Sequence, residues 1–114
     1  MNIAEQIAHY ATALDGGNLP PIVVKRVKQR IVDSLACILG AYGSRPAKAS
    51  IAHAATLPFP ASSVFGTNLR TSPDIAAFAN STMVRYLDYN DGYMSREPGH
   101  PSDNIPACLA VAEA

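Results

Sequence analysis

Asp88, Asp91, Glu97 and His100 lie within thirteen residues of one another in the stretch LDYNDGYMSREPGHPSDN, residues 87–104, which is punctuated by glycine and proline and flanked by apolar segments. Three carboxylates and an imidazole in one loop can carry general acid–base chemistry if the loop folds several of them into a partly desolvated pocket. A carboxylate beside the imidazole would fix its tautomer. The helix start expected at Ser102-Asp103-Asn104 would aim backbone N–H groups at a substrate carboxylate. The same residues also read as plain structure: Asp88 ending a helix, Asp91-Gly92 turning the chain, and His100-Pro101 as loop.

Other chemistries fit worse. Read as a calcium loop from Asp88, the segment has its glycine one place early and Gly99 where a bidentate Glu belongs. His100 has no second His or Cys at zinc-ligand spacing, and His9 and His53 fall in helical segments without partners. There is no G-x-S-x-G elbow for a serine hydrolase. The Asn80-Ser81-Thr82 sequon sits inside an apolar helical pattern and reads as incidental.

The scaffold is bounded by composition. A chain of 114 residues is one domain or less, and nine basic against nine acidic residues give no electrostatic footprint for nucleic acid. A small molecule or a protein is the expected partner. No basic region followed by an apolar run opens the chain, and no stretch approaches the roughly 18 apolar residues of a membrane span, so the expectation is a cytoplasmic protein with no membrane contact. Cys37 and Cys108 each lie in an apolar helical pattern without CxxC spacing and read as ordinary buried thiols. Two thiols by themselves do not hold an iron–sulfur cluster, which usually takes about four.

Periodicity supplies the elements. Asn2 caps a first amphipathic helix with Ile3, Ile7, Tyr10, Ala11 and Leu14 at helical spacing, and DGGNLPP stops it. Pro21 opens a second helix with a stripe of Val24, Val27, Ile31, Leu35 and Ile38. Lys25, Arg26, Lys28 and Gln29 form a solvated face or, as a minor reading, an anion patch, and the tail SLACILGAY is apolar nearly all round. A short Ala-rich helix covers about residues 46–56, a small extended excursion is plausible within residues 62–70, and Ser72-Pro73-Asp74 starts a helix striped by Ile75, Phe78, Ala79, Thr82, Met83, Tyr86 and Leu87. Ser102 or Asp103 caps a last helix, NIPACLAVAEA, apolar on all sides and ending at Ala114 without a cap. The expected fold is all-α, a helical-bundle fragment occupying residues 1–114.

Two stretches are similar to a known family. MVRYLDYNDGYMSREPGHPSDNIPACLAVAEA, residues 83–114, resembles the signature region of the MmgE/PrpD family, in which L-D-[FY]-N-D is followed by G-H-P-S-D-N and an Ala-rich helix. LPPIVVKRVKQRIVDSLACILGAYGS resembles that family's basic helix ending in D-S-L-x-C-x-L-x-G. The resemblance implies the first part of a longer protein's all-helical domain, with an α/β domain elsewhere, and addition–elimination at small polycarboxylates. That covers dehydration of 2-methylcitrate, decarboxylation of cis-aconitate in one branch and epimerisation of iminodisuccinate in another, with no metal and no cofactor. By position it puts the active-site Asp on Asp88 and the active-site His on His100, with Asp91 and Ser102 in the same motifs as substrate-binding candidates. A Thr of the decarboxylase branch is Gly92 here, which favours dehydration. Other polar groups of the family's site, a Lys among them, fall outside these residues, so the 114 residues alone are expected to be inactive. The resemblance also implies a homodimer. A non-catalytic oligomerisation module and a small-ligand binding domain stand as the alternatives.

Overall fold

The computed structural model describes residues 1–114. Helix α1 (Ile3–Ala13) begins in a capping box: the Glu5 N–H donates to Asn2 Oδ1 at 2.9 Å and the Asn2 N–H to Glu5 Oε2 at 2.8 Å. A 3₁₀ turn at Gly16–Asn18 leads to α2 (Pro21–Ala41), with Pro21 at its first position, where the missing N–H costs nothing. Helix α3 (Arg45–Ala55) is capped by Ser44, whose Oγ accepts the Ala47 N–H. Strands β1 (Pro58–Ser63) and β2 (Arg70–Thr71) pair antiparallel, with Ser62 opposite Thr71 and Ser63 opposite Arg70. Helix α4 (Pro73–Tyr86), a 3₁₀ turn at Pro101–Asp103 and α5 (Ile105–Glu113) complete the chain.

The centre of the fold is α4, which packs on α2, α3 and α5. Its core partners are Ile38 and Ala41 of α2, Ala47 and Ala54 of α3, and Val64 after β1, around its own Ala79, Met83 and Val84. Alanines at these contacts let helix backbones approach closely, so the core is thin and shape-dependent. Asn80, 1% exposed, stands in this core as a polar brace. Its Oδ1 accepts the Phe65 N–H at 2.9 Å and its Nδ2 donates to the Ser63 carbonyl at 3.0 Å, satisfying the chain where β1 ends. A sequon asparagine used in this way is structural.

The all-α expectation needs correction: the chain is mostly helical with five α-helices and a small two-stranded sheet. The extended segment starts at Pro58, four residues before the region that its composition marks, and residues 64–69 form the turn between strands. The hairpin is held by groups that are distant in sequence. Ser62 Oγ donates to the Ala110 carbonyl of α5, and the Glu113 carboxylate accepts from the Ser63 N–H at 2.7 Å and from Arg70 at 2.9 Å. The Ser63 hydroxyl, which also donates to this carboxylate, and then the Ser63 N–H and Arg70 hold the Glu113 carboxyl below the usual carboxylate range.

Helix existence was well signalled and helix rotation only in part: Ile38, Ala79 and Met83 of the expected stripes are buried. In α4 the buried residues are Ala76, Ala79, Asn80, Met83 and Val84, whereas Phe78, Tyr86 and Leu87 of the expected stripe are exposed. In α2 the inner face runs through Ser34, Cys37, Ile38 and Ala41, and Val27 and Leu39 face outward. Beside Ile38, Met83 and Val84, both helices turn small or polar residues inward, because close backbone approach sets the interior, and large side chains at the edge of the stripe are left outside. Only Pro106 and Ala110 of α5 are buried, so Cys108 is exposed and not the buried thiol its apolar surroundings suggest.

Gly66 turns the β1–β2 connection with φ +79, and a Cβ there would also meet the Tyr42 ring at 3.3 Å. Gly66→Ala is expected to destabilise the chain by about 1–2 kcal/mol through the left-handed backbone alone. Thermal or urea unfolding checks this, and an unchanged midpoint would contradict it.

Candidate functional site

The loop that follows α4 is built outward from a helix end. Asp88 takes φ 50, a left-handed conformation that Asp tolerates better than most residues, and its N–H closes on the Arg85 carbonyl at 3.0 Å. Its carboxylate meets Arg85 at 3.2 Å and is largely in water, with 78% of the side chain exposed. From there the chain runs through Asn90 and Asp91 and out to Tyr93. Tyr93 and Gly99 exchange backbone hydrogen bonds at 2.8 and 3.1 Å, which folds the loop back and delivers His100 beside Asp91.

Asp91 is the organising group. Only 7% of its side chain is exposed. One carboxylate oxygen pairs with the Arg30 guanidinium from α2, and the other accepts the Ser102 N–H at 3.0 Å. Burial alone would push this carboxyl up. The Ser102 hydroxyl and N–H and the Arg30 guanidinium together outweigh burial and hold it below the ordinary carboxylate range. Ser102 is fully buried and its Oγ also accepts from Asn90 Nδ2 at 2.6 Å, while Asn90 Oδ1 takes a hydrogen bond from Arg85 at 2.8 Å. Arg85 reaches Asp103 as well, at 3.7 Å. A continuous polar chain thus ties α2, the end of α4 and the 3₁₀ turn before α5 into one unit.

His100 is exposed, and its Nδ1 lies 2.5 Å from the Asp91 carbonyl oxygen. A carbonyl only accepts, so Nδ1 carries the hydrogen, and whenever the ring is neutral its lone pair is on Nε2. That is the form of an imidazole able to take a proton. A shallow cleft of about 340 Å³ opens next to Asp91, lined by Arg26, Gln29, Arg30, Asp33, Tyr89 and Asp91. A larger hollow, about 690 Å³, runs along the first half of α2 between Leu19 and Val32 and contains none of the loop's acid–base residues. Cys37 is buried, and its thiol is pushed up by burial and by the Asp33 and Asp91 carboxylates, which makes it a poor nucleophile.

Of the residues that the sequence singles out, Asp91, His100 and Ser102 meet directly. Asp88 stands apart: it pairs with Arg85, and the imidazole is oriented by a backbone carbonyl in place of a carboxylate. Glu97 is exposed in the returning arm of the loop. The expected pocket of several desolvated acids therefore contains one desolvated acid, because a single guanidinium and a single turn reach inside. The N–H groups at the 3₁₀ turn are also engaged: Ser102 donates to Asp91, Asp103 to the His100 carbonyl at 3.0 Å, and Asn104 to the Pro101 carbonyl at 3.2 Å. They are not an anion site, and the helix proper starts later, at Ile105.

Arg30, Arg85 and Asn90 escaped the sequence reading. Arg30 had a legible signal, since it sits four residues before Ser34 and seven before Cys37, on the face of α2 that turns inward. A charge on that face requires a partner.

Comparison with known proteins gives this loop its context. Residues 5–114 match the MmgE/PrpD N-terminal domain. The chain belongs to the MmgE/PrpD family. Among curated MmgE/PrpD-related proteins, the chain is similar to the probable 2-methylcitrate dehydratase of Saccharomyces cerevisiae, with 48% identity over 50 residues covering 44% of this chain and 10% of that protein. It is likewise similar to the 2-methylcitrate dehydratase of Escherichia coli, at 46% over 48 residues, 42% of this chain and 10% of that one. The cis-aconitate decarboxylase-like protein oryM of Aspergillus oryzae aligns over 98% of this chain at 29% identity, covering 23% of its own length. The chain thus spans under a quarter of the length of these relatives. No solved structure matches it. No helix is long and apolar enough to cross a membrane.

Proposed function

We propose that this chain forms one wall of a lyase site that dehydrates a small tricarboxylate, 2-methylcitrate to 2-methylaconitate, as the first part of a MmgE/PrpD helical domain. The observation that carries this reading is the free Nε2 of His100, on a loop anchored by Asp91, in a chain 46–48% identical over part of its length to proteins named 2-methylcitrate dehydratase. In this mechanism Nε2 takes the proton from the carbon beside a substrate carboxylate. The electron pair forms the double bond and hydroxide leaves the neighbouring carbon, protonated by a general acid to water. The reaction balances without redox change, so no cofactor is invoked. Asp88 is assigned to substrate positioning, and Asp91 and Ser102 to holding the loop from which His100 works.

Arg26 lines the cleft next to Asp91 and is the cation there that a substrate carboxylate would meet, since Arg30 is already paired with Asp91. A homodimer belongs to the same reading: Ile3, Ile7, Tyr10 and Leu14 line one side of α1, which has no buried residue, and a second subunit would cover such a stripe. Cytoplasmic residence belongs to it as well, although a Yarrowia lipolytica relative is named as mitochondrial. Decarboxylation of cis-aconitate is the second reading, favoured by the match to oryM over nearly the whole chain.

The test is turnover with both substrates, following 2-methylaconitate and carbon dioxide separately. The isolated 114 residues are expected to turn over neither, because catalytic groups that act as a unit lose most of their effect when some are removed. A full-length family member carrying this chain is expected to release water from 2-methylcitrate. Carbon dioxide from cis-aconitate as the main product would select the second reading, and saturable tricarboxylate binding without turnover would make the chain a binding module.

A further inference from the structure

We propose that Arg30 is a positioning residue for His100, acting from α2 through Asp91 to fix which ring nitrogen carries the proton. The idea rests on the reading above, in which His100 transfers a proton. Its geometry is independent of it. Both side-chain oxygens of Asp91 are committed, one to Arg30 and the other to the Ser102 N–H, so the residue cannot rotate without breaking one of them. What remains of Asp91 is its backbone carbonyl, and that is the group 2.5 Å from His100 Nδ1. Arg30 is separated from Asp91 by 61 residues and belongs to a long helix packed on α4, so it ties the loop to the rigid part of the fold. The Tyr93–Gly99 pairing brings His100 back but leaves its ring free to turn, and the carbonyl supplies the missing constraint. Without the guanidinium, Asp91 keeps only the Ser102 contact and its carbonyl loses its fixed direction.

The readout is the His100 tautomer in the 114-residue chain, from two-bond ¹H–¹⁵N correlations of the imidazole rings at a pH where they are neutral. His9 and His53, which lie on α1 and α3, serve as internal references. The parent is expected to show His100 with hydrogen on Nδ1. Arg30→Gln is expected to move it toward the Nε2–H form that a free imidazole prefers, and Arg30→Lys, which keeps the charge but not the planar fork, to fall between. An Nε2–H ring in the parent, or a parental pattern in Arg30→Gln with an intact amide spectrum, overturns the proposal. If Arg30→Gln does not fold, Arg30→Lys decides, and a parental pattern there overturns it. Because no turnover is measured, an inactive His100 and an unpositioned one are told apart.

Discussion

In a full-length MmgE/PrpD protein carrying this chain, His100→Asn is expected to lower the rate of the proposed 2-methylcitrate dehydration by about 10²–10⁴-fold, the range for losing the general acid or base that His100 is proposed to be. The substitution is chosen for its geometry. The Asn amide nitrogen can still donate to the Asp91 carbonyl, as Nδ1 does now at 2.5 Å, while the group at Nε2 is removed. Folding is expected to change little, because the ring is exposed and belongs to no core cluster. The measurement is steady-state turnover, with far-UV circular dichroism and a melting curve as the control. A folded variant that dehydrates at the parental rate would make His100 a loop residue and return the segment to its structural reading. Asp88→Asn is the informative companion, since its carboxylate touches only Arg85 within the chain and its effect on rate reports contact with substrate.

Asp91→Ala is expected to destabilise the isolated chain by about 2–4 kcal/mol. It strands the Arg30 guanidinium and the Ser102 N–H together, and Ser102 is fully buried. The figure is set below that of a fully buried pair because 35% of the Arg30 side chain is exposed and water takes over part of the charge. Acid should show the same interaction. The Asp91 carboxyl is held below its unfolded value of about 4, so its contribution is fully present above that value and is lost as pH falls through the depressed folded value. Denaturant unfolding between neutral pH and about pH 3 should therefore show an acid-side loss that Asp91→Asn flattens. Glu113, whose carboxyl is also lowered, titrates with the same sign and remains in both proteins, so the difference between the two curves isolates Asp91.

Several features of this protein were decided by local sequence. Asn2 and Glu5 satisfy each other three residues apart, Pro21 and Pro73 can only open helices where they stand, and the interruption at residues 42–44 separates two helical patterns whatever lies around them. The loop at residues 87–104 was legible for the same reason: glycine and proline break the flanking helices, and Asp88 ends α4 by its own backbone preference. The candidate residues and the family were both written in that stretch. Tertiary structure alone decided which faces turn inward and which groups meet. The stripe expected on α4 keeps Ala79 and Met83 inside, but close packing on α2, α3 and α5 adds Ala76, Asn80 and Val84 and leaves Phe78, Tyr86 and Leu87 outside, because helix backbones approach closely where side chains are small. The sheet likewise depends on Asn80, Ala110 and Glu113, which lie 17 to 50 residues from the strand residues that they hold. The Arg30–Asp91 pair spans 61 residues, so no local spacing reveals it. Sequence placed an imidazole among acids, and the fold chose a backbone carbonyl as its partner, since both oxygens of the one buried acid were already taken by donors from elsewhere in the chain.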